Sequence, residues 1–275
     1  MKFLEVGFSA LMRLIYFILT LFVLSCPVFA YEIGRDIPHD PYTTVEEVSA
    51  EFTLMRELLF THKDHRAIFT AVYLDTSYAI LKKIDNGFFS DPDWAKRILI
   101  SFANLYKTSM LEEEIESDGP VPRCWERSFR ENHQAEEKLS VQLLLGLNAH
   151  INHDLPLALV EAMAPGEDFE AHRQDFFRMG AIFKEIIPEL FKTLEIAQIR
   201  LGARKKISEE HFRKFKSAAI YIMVKAFRKQ AFENGAKLSA LPLEERELFR
   251  QSKIDRQCLR KARGFILLSP IIPRR

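Results

Sequence analysis

Between Leu143 and Leu159 the chain reads Leu-Leu-Leu-Gly-Leu-Asn-Ala-His-Ile-Asn-His-Asp-Leu-Pro-Leu-Ala-Leu, an oily segment into which two Asn, two His and one Asp are set. Leu143, Leu147, Ile151 and Leu155 recur one helical turn apart, so the segment predicts a buried helix around which the remaining elements must be arranged. With 275 residues and 48% hydrophobic content, 23 Phe among them, the chain has enough apolar material for a large core.

The flanking segments carry the same period. Thr44 and Glu47 form a capping box ahead of Val45, Val48, Phe52, Met55 and Leu59, which predicts a helix over about 45–60. Asp64 can cap a second helix with Ile68, Phe69, Val72, Thr76, Ala79 and Ile80 on one face, ending near Asn86-Gly87. Asp91 and Pro92 start a third, whose stripe is Trp94, Ile98, Leu99, Phe102 and Tyr106. Trp125 and Phe129 open a short helix, and the central helix is expected from about Glu136 to Met163, bent at Pro156 because proline removes a donor and clashes with the preceding turn. Helices then run from Asp168 to about Leu201, from a Ser208 cap to about Asn234-Gly235, and from Leu243 to Arg263. Strand alternation is confined to a short piece at 265–272. The expectation is an all-α protein, a single-domain bundle over residues 31–275 of about eight helices around the central one.

Residues 1–30 differ. Lys2 and Arg13 precede an uncharged run from Leu14 to Leu24, and Val28-Phe29-Ala30 offers small residues at cleavage positions, the pattern of a signal peptide removed after Ala30 and of an exported protein. A lipid anchor at Cys26 is the minor alternative, with Pro27 directly following. Export would take Cys124 and Cys258 into an oxidising compartment, where they either pair or remain two buried thiols.

Charge is polarised along the chain. Residues 31–200 hold 18 basic and 30 acidic residues, and residues 201–275 hold 19 basic and 7 acidic. Docking of the basic C-terminal helices on an acidic body accounts for this, with peripheral contact to an anionic membrane as the alternative. No aromatic platform or groove-reading motif accompanies the basic residues, so nucleic acid is not an expected partner. There is no Gly-rich phosphate loop, no Gly-x-Ser-x-Gly elbow and no closely spaced Cys pair, which disfavours nucleotide-dependent, serine-hydrolase and thiol-redox chemistry.

On a helical wheel Asp154 falls inside the apolar stripe and His150 on its rim, while His65 and His172 each lie in line with core residues of their own helices. A carboxylate in a dry stripe needs a partner. Two readings follow. In one, His65, His150, Asp154 and His172 converge on a divalent metal, zinc being favoured by imidazoles with a carboxylate, and Asp168 or Asp175 serves as catalytic base. In the other, the cluster is a hydrogen-bond network that holds helices together. Asn148 and Asn152, one turn apart on another face, either bind substrate or tie the helix to a loop.

The block Gly146–Leu159, together with His65-Arg-x-x-Phe69-x-x-x-Tyr73, Phe89-x-Asp91-Pro92-x-Trp94 and Phe102-x-x-x-Tyr106, resembles a bacterial family known as domain of unknown function 5995 over most of residues 50–235. That resemblance implies the helical fold and no particular activity. A looser similarity, to zinc-dependent phospholipases C and nucleases, rests on His150-x-x-x-Asp154; the group's His-x-x-x-Glu pair is missing, because Phe176 stands four positions after His172. The functional expectation is an exported metal-assisted hydrolase acting on an unknown small molecule, a phosphoester or lipid substrate. The alternative is a non-enzymatic helical protein of the cell envelope.

Overall fold

Capping chemistry sets the helix starts. In the computed structural model, α1 (Val45–Thr61) begins on the Thr44 capping box, with Glu47 N donating to Thr44 Oγ1 at 3.2 Å and Thr44 N to the Glu47 carboxylate at 3.1 Å. Residues 33–115, 121–134, 139–202 and 210–268 are described. The proposed leader with Ala30 and Cys26, the Ser208 cap and the segment beyond Leu268 lie outside them. Asp64 accepts from Arg66 N at 2.8 Å ahead of α2 (Ala67–Asp85), and Asp91 from Trp94 N at 2.8 Å at the start of α3 (Pro92–Ile115).

The chain continues through α4 (Arg123–Gln134) and α5 (Leu139–Ala149) into a π turn, His150–Asp154, and then α6 (Leu155–Glu161). After a 3-10 turn, Phe169–His172, follow α7 (Arg173–Arg200) and α8 (Glu210–Ala240). The end is α9 (Leu243–Phe249), a second π turn, Arg250–Asp255, and α10 (Arg256–Leu268). No strand occurs among the described residues; the piece expected at 265–272 is helical through Leu268. No helix there is long and apolar enough to cross a membrane.

Residues Ile33–Arg275 form one compact unit. Within it, α5, the π turn and α6 are enclosed: α4 and α10 pack on α5, α8 on the π turn and α6, α2 on α5, and α3 on α6. Glycines mark the closest approaches. A Cβ at Gly146 would stand 2.8 Å from Phe69 Cδ2, and one at Gly235 would stand 3.3 Å from Pro156 O and 3.1 Å from Phe169 Cζ. Asn234-Gly235 is therefore not a helix stop: α8 runs on to Ala240, and its glycine lets α6 come close. Cys124 of α4 and Cys258 of α10 form a disulfide, Cα atoms 6.2 Å apart, joining positions 134 residues apart in sequence.

Candidate functional site

The π turn creates the site. Leu155 N donates to His150 O, five residues back, so one extra residue sits in this turn and everything beyond it is rotated by about 100° relative to an unbroken wheel. Pro156, just past the turn, has no N–H to give. All five residues of the turn are buried, His150, Ile151, Asn152, His153 and Asp154 alike.

Asp154 is the hub. Its Oδ2 accepts from Trp125 Nε1 and His150 Nδ1, each at 2.9 Å, and its Oδ1 from His153 Nδ1 at 2.7 Å. Burial pushes its carboxyl up, but the hydrogen bonds from the two histidines and their charges prevail and hold it below the usual range. His153 reaches on to Asp255 in the second π turn, Nε2 to Oδ1 at 3.2 Å. Burial pushes that imidazole down, yet hydrogen bonds to Asp154 and Asp255 together with their charges raise it to about 9. His150 is the opposite case: burial dominates and lowers its pKa against the pull of Asp154. At neutral pH the core therefore holds a charged His153 between two carboxylates and a neutral His150.

His150 sits in an aromatic box, stacked on Phe102, with Tyr73 edge-on at 4.7 Å and Phe69 at 5.3 Å between ring centroids. Its Nε2 and the Tyr73 hydroxyl are buried and have no hydrogen-bond partner among the described residues. Both residues line a cavity of about 70 Å³, otherwise walled largely by apolar side chains of α2, α3, α5, α6, α7 and α8, Ile98, Leu155 and Phe183 among them.

The four expected metal ligands are not brought to one point. His150 and Asp154 bond to each other. His65 lies in the turn before α2, which begins only at Ala67, so it is half-buried rather than mid-stripe, and its Nδ1 faces Gln142 Nε2 at 3.0 Å. His172 ends the 3-10 turn, stacked on Trp94 at 4.7 Å, with Nδ1 3.7 Å from Asp91 and Nε2 3.4 Å from Glu167. Those three form a group whose ligand atoms lie within 4.8 Å of one another. Glu167 is also held by Arg97 Nη2, 2.8 Å from both of its oxygens.

The other expected site residues serve as connectors. Asp168 is exposed and caps the 3-10 turn through Glu170 N at 3.1 Å. Asp175 is buried and accepts Ser90 N at 3.1 Å and Asp91 N at 2.7 Å, fixing the start of α3 to α7. Asn148 donates to Cys258 O at 3.1 Å, and Asn152 donates to Asn148 Oδ1 at 3.1 Å while accepting from Lys261 Nζ, so the pair ties the central helix to α10. Three members of the site gave no usable signal in the sequence. The wheel left His153 off the stripe centre, in an intermediate position, and Trp125 and Asp255 come from elements whose relation to the central helix is tertiary.

The molecule is thus an all-helical protein with a buried His–Asp–His–Asp network bordering an apolar cavity. The chain belongs to a family of unknown function, DUF5995, whose model matches residues 45–268. No curated protein and no solved structure matches it.

Proposed function

We propose that this protein binds a compact, mainly apolar molecule in the cavity beside His150 and carries out acid–base chemistry on it. One observation carries the reading. His150 Nδ1 is held by Asp154, while its buried Nε2, without a partner, is left on a residue that lines the cavity. With the Nδ1 proton on the Asp154 side, Nε2 presents a lone pair, and a base so oriented contributes on the order of 10²–10⁴-fold to a proton-transfer step. Tyr73 supplies a hydroxyl, its pKa raised by burial, that donates to a developing oxyanion. Hydrolysis by a water that His150 deprotonates needs no further group, and the leader sequence supports placing the reaction outside the cytoplasm.

Short alkyl esters small enough for the cavity, such as ethyl acetate, with acid release followed by pH-stat, test this. Turnover should rise with pH through a pKa below the ordinary 6.5 of histidine, the direction in which burial moves His150. His150→Gln should lower kcat/KM by about 10²-fold or more with little change in Tm. Equal rates in the variant and the wild type would sink the proposal.

A second reading, a bound divalent cation with zinc favoured, is supported by the group Asp91, Glu167 and His172. It places the ion at the junction of α3 with the turn before α7, away from the His150–Asp154 pair. Peripheral contact of the basic C-terminal region with an anionic membrane remains a further proposal, supported by the charge asymmetry of the sequence.

A further inference from the structure

Among the described residues, the same cavity is bordered by one permanently charged group, and it is a cation. Arg228 of α8 lines it together with the polar side chains of Thr76, Ser77, Tyr73 and His150, and none of the described Asp or Glu residues does. Among the described residues, no carboxylate forms an ion pair with Arg228; its partners are Phe176 O, accepting from Nη2 at 3.0 Å, and the Phe176 ring, 4.3 Å from the guanidinium carbon. A guanidinium carries five N–H donors in a planar fork, which suits two carboxylate oxygens.

The backbone makes room for it. A Cβ at Gly180 of α7 would stand 3.0 Å from Arg228 Nε, so the glycine is what allows this side chain to lie across the α7–α8 contact. Arg228 is part-exposed, as are Thr76 and Ile80, whereas Tyr73, His150 and Leu155 are buried, so the charge lies at the mouth and the buried end combines the two polar groups Tyr73 and His150 with apolar neighbours.

From this arrangement we infer that the ligand is a short, mainly apolar carboxylate, its head group held by Arg228 at the mouth and its chain, which would carry the bond that reacts, reaching toward His150 and Tyr73. The inference rests on the cavity being the binding site and names the substrate class for it. A volume of about 70 Å³, at roughly 10–15 Å³ per water-sized position, has room for about half a dozen small groups, the size of a six-carbon acid rather than a long fatty acid.

Thermal unfolding of the full chain with sodium hexanoate, 1-hexanol, hexylamine and sodium acetate at matched concentration tests the inference. Hexanoate should raise Tm by several degrees, hexanol clearly less, and hexylamine and acetate not at all. Arg228→Met should erase the advantage of hexanoate over hexanol, and Arg228→Lys should keep part of it. Hexanol matching hexanoate on the wild type, or hexylamine stabilising as well, overturns the carboxylate anchor while leaving the cavity as a binding site. No shift with either six-carbon compound overturns both. The comparison of ligands on the wild type decides the matter even where a variant folds poorly.

Discussion

Replacing Asp154 with Asn changes one atom at the centre of the molecule, and its cost follows from who faces that atom. The amide keeps an acceptor oxygen for Trp125 Nε1 and His150 Nδ1, but its NH₂ then meets His153 Nδ1, which in the wild type donates at 2.7 Å. His153 must turn a lone pair toward the amide and give up its charge. The value of that charge can be worked out: raising the imidazole from 6.5 to about 9 corresponds to roughly 3 kcal/mol at about 1.4 kcal/mol per unit, shared between Asp154 and Asp255. The substitution should therefore cost about 2–3 kcal/mol near pH 6.5. For a chain of this length that lowers Tm by roughly 5–10 °C.

The pH dependence has a definite sign. A histidine with a raised folded pKa contributes fully below its unfolded value, and the contribution fades as pH rises through the folded one. The gap between wild type and Asp154→Asn should thus be widest at and below about pH 6.5, shrink as pH rises from there, and be largely gone above about pH 9. Circular dichroism melts of both proteins from pH 6 to 10 measure it. A Tm difference below about 2 °C at pH 6.5, or one that grows toward pH 10, would refute the charge assignment.

Two further outcomes are expected. Gly146→Ala should destabilise by about 1–3 kcal/mol in urea unfolding, because the new methyl meets the Phe69 ring at 2.8 Å; Gly264→Ala, with nothing within 4 Å, should be neutral or stabilising by up to about 1 kcal/mol. Zinc should release heat on titration into protein stripped of metal, and His172→Gln should abolish the signal; a featureless titration of the wild type removes the cation reading at Asp91, Glu167 and His172.

Helix starts were legible because their causes are local. Thr44 with Glu47, and Asp91 with Pro92, act within four residues, and both appear where the sequence places them. The Asn234-Gly235 stop failed because glycine has two uses, and here close approach to Pro156 and Phe169 outweighs termination. His65 failed for a nearer reason: with α2 starting at Ala67, the wheel does not extend back to it. Asp168 was placed at a helix start and caps its own turn, whereas Asp175, expected with it as a candidate base, accepts from the start of α3 across the fold, a contact that no local pattern signals.

The stretch from Leu143 to Leu159 shows where the division lies. By itself the sequence determined that this segment is helical, buried and central, and that Asp154 needs a partner, since period and desolvation cost depend only on the residues present. It also placed His150 and Asp154 one turn apart, and the structure joins them. The sequence could not determine the π turn, nor that α8, α10 and α4 pack around the segment. That enclosure turned His153 inward, brought Trp125 and Asp255 to the network, made connectors of Asn148 and Asn152, and set Arg228 at the mouth of the cavity. A wheel assumes one wet and one dry side, and only tertiary packing decides whether a helix has a wet side at all.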